Sequence, residues 1–109
     1  MNDLPAAPTT GFAPETSGDF TRAYQAGDTD PLQVAERALA IIDDSERLTP
    51  AMRVLIAHQR DDLMKQAATS AARWKSGKPL GPLDGVPVVV KDELDQTPYP
   101  TTVGTKFLG

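Results

Sequence analysis

Gly81-Pro82-Leu83-Asp84-Gly85-Val86-Pro87-Val88-Val89-Val90-Lys91-Asp92 is the stretch whose reading decides the fold. Glycine and proline punctuate its entry as a turn-rich loop. Val86–Val90 then reads as a strand, apolar on both faces. Such a run suits a central strand covered by helices on both sides. Lys91 closes it. A lysine held at the end of a buried strand loses solvation and can titrate near neutrality, which suits a proton carrier. The competing reading is that Lys91 reaches past the strand end to water. The residues alone favour that reading, because lysine is almost never buried unless paired. Strand alternation aims the next residue, Asp92, at the opposite face.

Upstream, Arg53-Val54-Leu55-Ile56-Ala57 is short, β-branched and apolar, and reads as a second strand. A helix from about His58 to Ser76 joins the two. Leu63, Ala67, Ala71 and Trp74 line one side of it, widened by Met64, Ala68 and Ala72. Gly77 stops it and Pro79 prevents its continuation. Strand, helix and strand in this order suggest a parallel pair with a crossover. Two strands do not make a sheet with such a covered central strand, so the other strands and a second helical layer must come from elsewhere. A small α+β domain with Val86–Val90 at its edge remains open, since Pro87 is compatible with an edge.

Nearer the N-terminus, Thr29 or Asp30 caps a helix with Pro31 at its first position. Leu32, Ala35, Leu39 and Ile42 form its buried stripe. A shorter helix through Phe20, Ala23 and Tyr24 is capped by Ser17 or Asp19 and ends at Gly27. Residues 1–18, with Pro5, Pro8, Pro14, Gly11 and Gly18, read as a flexible arm. Residues 19–109 are then the folded part. After Asp92 the chain reads as loop, with Pro98 and Pro100 forbidding a helix. Lys106-Phe107-Leu108-Gly109 reads as the start of a further element.

The chain has 109 residues, one domain at most, and a net charge of −4. A nucleic-acid binder needs a basic face, so that class is set aside. With no cysteine and one histidine, His58, there is no thiol nucleophile, disulfide or histidine-rich metal cluster. No stretch is apolar enough to span a membrane and there is no signal peptide, so the default compartment is the cytoplasm. Gly81–Gly85 lacks the Gly-Lys-Ser/Thr ending of a phosphate loop. Asp43-Asp44 and Asp61-Asp62 are helix neighbours that face apart, so neither pair makes a carboxylate site. Ser17, Ser45, Ser70 and Ser76 fall at caps or on helices, not in the turn an activated serine needs. Thr101, Thr102 and Thr105 offer hydroxyls on a loop, a weak signal by itself.

The segment GPLDGVPVVVKD, followed by PTTVGTKFLG, closely resembles the amidase signature family of serine hydrolases, and the likeness extends back to about Asp19. The resemblance implies an α/β fold, a mixed β-sheet core flanked by helices, of which this chain is the N-terminal fragment. It implies a Ser–cis-Ser–Lys triad in which Lys91 is the lysine, acting neutral and passing protons through the cis-serine. The family's nucleophile, cis-serine and oxyanion hole sit in a downstream Gly/Ser-rich stretch that nothing here matches. Asp84 stands where many relatives have histidine. The implied activity is hydrolysis of a carboxamide C–N bond, with a small-molecule amide as substrate and with no metal or organic cofactor. The expected partners are the missing C-terminal part of the enzyme and, as an open assembly, a second copy in a homodimer. An amidotransferase A-subunit-like role and a truncated, non-catalytic binding or assembly module both remain open.

Overall fold

The computed structural model describes residues 12–53 and 55–106. Among them are three helices, α1 (Ser17–Ala26), α2 (Pro31–Glu46) and α3 (Arg60–Lys75). Their ends follow local chemistry. At α1, Thr16 Oγ1 accepts the Asp19 N–H, and the Asp19 carboxylate accepts the Thr16 N–H in return. This reciprocal box satisfies donors that a helix start leaves open. The cap thus sits one residue before Ser17, and Asp19 acts from inside the first turn. The Glu15 and Thr16 N–H groups, with Arg22, hold its carboxyl down at about 2. Gly27 ends the helix at φ +77°, the left-handed conformation glycine adopts without steric cost.

At α2 the Asp30 carboxylate accepts the Gln33 N–H at 2.8 Å, and Pro31 is the first helical residue. Proline there surrenders a donor that had no partner anyway. α3 starts two residues later than the apolar pattern suggests. It carries Asp61 and Asp62 in its first turn and Arg73 and Lys75 in its last. Both pairs complement the helix dipole.

α2 and α3 pack against each other. Among the described residues the buried apolar side chains include Ala23 and Tyr24 of α1, Pro31, Val34, Ala35 and Leu39 of α2, and Ala67 of α3. Val34 rather than Leu32 completes the α2 stripe. Arg60 and Asp43 pair at 2.6 Å between the two helices. An aromatic series ties α1 to α3. Phe12 meets Phe20 edge-on with centroids 5.3 Å apart, Phe20 lies 6.2 Å from Tyr24, and Tyr24 lies 5.5 Å from Trp74. Contacts of this kind add to plain area burial.

Both strand expectations need correction. Among the described residues there is no strand, and an isolated antiparallel bridge joins Gln96 to Tyr99. The α/β expectation is therefore not met within these residues, which form a helical layer with connecting loops. Of the expected strand Arg53–Ala57, Val54 lies outside the described residues; Arg53 has φ +50°, Leu55–Ala57 form no strand, and Ile56 is 74 % exposed. Val86–Val90 is irregular too, with Val88 75 % and Val89 71 % exposed. The physical reason is that a strand is defined by a partner. β-branched composition favours extended backbone, but ladder hydrogen bonds need a neighbour, and Pro87 donates none. Residues 1–11 of the expected arm and Phe107–Gly109 lie outside the described residues, and α1 begins within the arm's expected span of 1–18.

Candidate functional site

The approach to Lys91 is built on one buried carboxylate. The Asp84 side chain is 2 % exposed. Its Oδ2 accepts Arg73 Nε–H at 2.7 Å and the Leu80 N–H at 2.9 Å. Its Oδ1 accepts the second arm of the Arg73 fork and the Ser70 hydroxyl, each at 2.6 Å. A buried carboxylate is tolerated only when paired and hydrogen-bonded, and here both oxygens are satisfied. The Arg73 fork first, then Ser70 and the Leu80 N–H, hold its carboxyl well below the usual carboxylate range against the opposing effect of burial.

The backbone of the same turn is held as well. Trp74 Nε1–H donates to the Asp84 carbonyl at 2.9 Å, and the Tyr24 hydroxyl donates to the Gly85 carbonyl at 2.7 Å. Thr21 Oγ1–H donates to the Pro82 carbonyl at 2.6 Å. Burial, helped by the nearby Asp30 and Asp84 charges, pushes the Tyr24 phenol up to about 12, so it stays a donor. Gly85 has φ +83°, and a Cβ there would sit 2.5 Å from Pro31 Cγ and 2.8 Å from Ser70 Oγ. Only glycine fits this approach of loop to helices. A groove of about 570 Å³ runs beside the turn between α2 and α3, lined by Pro31, Leu63, Ser70, Leu83 and Val86 among others; Lys91 does not line it.

Beyond this cage the chain leaves the helices. Lys91 has a 78 % exposed side chain, and its Nζ lies 3.3 Å from Glu93 Oε1. An exposed pair of this kind contributes little. The lysine stands in water at the end of an irregular segment, not at the end of a buried strand. Asp92 immediately closes a second hydrogen-bonded unit. Its carboxylate accepts the Thr102 N–H at 2.9 Å and the Thr102 hydroxyl, while its carbonyl accepts the Val103 N–H at 3.0 Å. The Thr102 hydroxyl and N–H hold the Asp92 carboxyl below the usual range. Val103, a β-branched residue at φ +50°, and Gly104 at φ +72° complete the turn that this clasp fixes. Tyr99 Oη accepts the Gln59 N–H at 2.9 Å and ties the loop to the start of α3.

Reading the residues singles out Lys91 but neither carboxylate anchor. Asp84 offers one signal, an acid inside a Gly/Pro loop that follows a helix ending near Arg73. The Asp92–Thr102 clasp spans ten residues and leaves no local signature. Thr102, a weak hydroxyl signal in sequence, is the partner of Asp92. His58 is exposed, in keeping with a surface residue. Among the described residues no group of three or more His, Asp or Glu side chains could hold a metal ion, and no helix is long and apolar enough to cross a membrane.

The cage predicts a pH response. A carboxyl with a depressed folded pKa contributes stability that is complete above its unfolded value, near 4, and lost as pH falls through the folded value. Trp74, the single tryptophan, reports on it directly. Its emission is expected to stay constant from pH 7 to about 5 and to change only below about pH 4. A transition centred between about pH 5 and 7 would contradict the assignment.

The Amidase family model matches residues 36–109. The chain is also similar to the fatty acid amide hydrolase of Oryza sativa subsp. indica, at 39 % identity over 89 residues, covering 82 % of this chain and 15 % of that protein. It is similar to the fatty acid amide hydrolase of Arabidopsis thaliana, at 37 % over 105 residues, covering 96 % and 17 %. It is 41 % identical over 93 residues to the A-subunit of the mitochondrial glutamyl-tRNA(Gln) amidotransferase from Ixodes scapularis, covering 85 % and 18 %. The chain therefore spans less than a fifth of the length of these relatives.

Proposed function

The chain belongs to the amidase signature family, and on that premise we propose that it is the N-terminal part of an amidase-type hydrolase of a carboxamide C–N bond, with Lys91 as its proton carrier. The observation that supports this reading most is the family match across residues 36–109, which contains the whole segment from Gly81 to Asp92. The nucleophilic serine, the cis-serine and the oxyanion hole are assigned to the part of the protein outside these 109 residues. That part also supplies the strands that pair with Val86–Val90, completing the mixed sheet and burying Lys91. The exposed Val88 and Val89 fit that role, since an apolar run is costly to leave in water.

On this reading the neutral Lys91 amine accepts a proton from the cis-serine as the cis-serine takes the nucleophile's proton. The serine oxygen adds to the amide carbonyl. The C–N bond breaks as the proton returns to nitrogen, leaving an acyl-serine and a free amine. Water then adds through the same relay and releases the acid. No step requires a metal or an organic cofactor. The substrate is a small-molecule amide. The likeness to the two plant hydrolases favours an acyl amide cleaved by a free-standing enzyme. The likeness to the Ixodes protein supports a second reading, an amidotransferase component working with partner chains.

A serine-directed fluorophosphonate tests the proposal. The full protein is expected to be labelled at one serine in a Gly/Ser-rich segment, and the 109-residue chain not at all. Labelling of the short chain, or amide turnover by it that Lys91→Ala abolishes, would overturn the assignment. Turnover of acyl amides by the purified full protein without any further chain separates the hydrolase from the amidotransferase.

A further inference from the structure

We propose that Asp84 is a positioning residue for Lys91. The inference rests on the reading of Lys91 as proton carrier and adds a residue that works through it. Among the described residues the Val86–Val90 segment that leads to Lys91 has no strand partner of its own, so the turn that launches it is the feature of these residues that sets where the lysine falls. A proton carrier must lie within hydrogen-bond reach of its partner, and a displacement of about 1 Å can lower a rate by about 10²-fold. The segment takes its direction from where it leaves the helical layer, and that point is the Asp84–Gly85 turn.

Four donors converge on the Asp84 carboxylate, three of them from two side chains of α3, Ser70 and Arg73, and one from the Leu80 backbone. Its carbonyl and that of Gly85 are held by Trp74 and Tyr24. The turn is thereby fixed to α1 and α3 at once, and the close approach of Gly85 to Pro31 adds α2. A few residues later the chain reaches Lys91, and the Asp92 clasp closes the far side. Loss of the Asp84 charge leaves the Arg73 fork without its acceptor and frees the turn to shift, and Lys91 shifts with it. An acid at this position therefore has a task that none of the reacting groups performs.

A double-mutant cycle in the full protein tests this. Asp84→Asn preserves side-chain shape but replaces one acceptor oxygen with a donor facing donors. It is expected to lower kcat by about 10²-fold with KM nearly unchanged, measured well below the melting temperature. In a Lys91→Ala background the same change is expected to have almost no effect on the residual rate, because the group it positions is gone. Arg73→Lys, which keeps the charge but loses the fork, should lower kcat in the same manner by a smaller factor, and serves should Asp84→Asn fail to fold. An unchanged kcat in the folded variant, or equal losses in both backgrounds, overturns the positioning role while leaving Lys91 intact. Full turnover in Lys91→Ala itself overturns the reading on which the role rests.

Discussion

Lys91→Ala in the full protein is expected to lower kcat by about 10³- to 10⁵-fold while leaving KM nearly unchanged. A proton carrier contributes chiefly in the transition state, where the nucleophile's proton is in flight, so substrate binding survives its removal. The fold should survive too. Within these residues the Lys91 side chain makes a surface ion pair with Glu93, and truncating a neutral amine at the proposed strand end of the full protein leaves no buried charge unpaired. Thermal melting of the variant should therefore match the parent closely. Asp92→Asn is expected to hurt less. It weakens the clasp on Thr102 without removing a reacting group.

Gly85→Ala is expected to destabilise the protein by roughly 2–4 kcal/mol. Two costs add. An alanine at φ +83° sits in the left-handed region, at about 1–2 kcal/mol. Its methyl would also press 2.5 Å from Pro31 Cγ and 2.8 Å from Ser70 Oγ, and neither neighbour has room to yield. Pro31 is a fully buried ring at the first turn of α2, and Ser70 is 3 % exposed and committed to Asp84. Denaturant midpoints of the two proteins measure the difference. A change below about 0.5 kcal/mol would show that the turn is free to move, and that the cage does not hold it.

The helices are legible in the residues because their signals are local. Asp30 before Pro31 marks the start of α2, and Gly27 marks the end of α1, each through bonds made within one turn. Even the misplaced details are small: the α1 cap falls on Thr16, and α3 begins at Arg60 rather than His58. The two strands read from the sequence are not formed among the described residues. The valines of Val86–Val90 specify an apolar segment suited to extension, but pairing depends on residues far away in the chain. The Asp84 cage is hidden for a related reason. Asp84 and Ser70 lie 14 positions apart, Tyr24 and Gly85 61, and no periodicity links them. What the family resemblance contributes is the role proposed for Lys91, whose surroundings in these residues are those of an ordinary surface lysine.

The most direct measurement is the turnover of Lys91→Arg in the full protein. Arginine keeps the positive charge and much of the length but stays protonated at any working pH, so it cannot accept a proton. The expected rate is nearly as low as that of Lys91→Ala. On the proposed reading, the acid limb expected of a coupled serine–serine–lysine array should go with it. Near-parental turnover in Lys91→Arg would contradict the proton-carrier role, and Lys91 would then be a source of charge or packing.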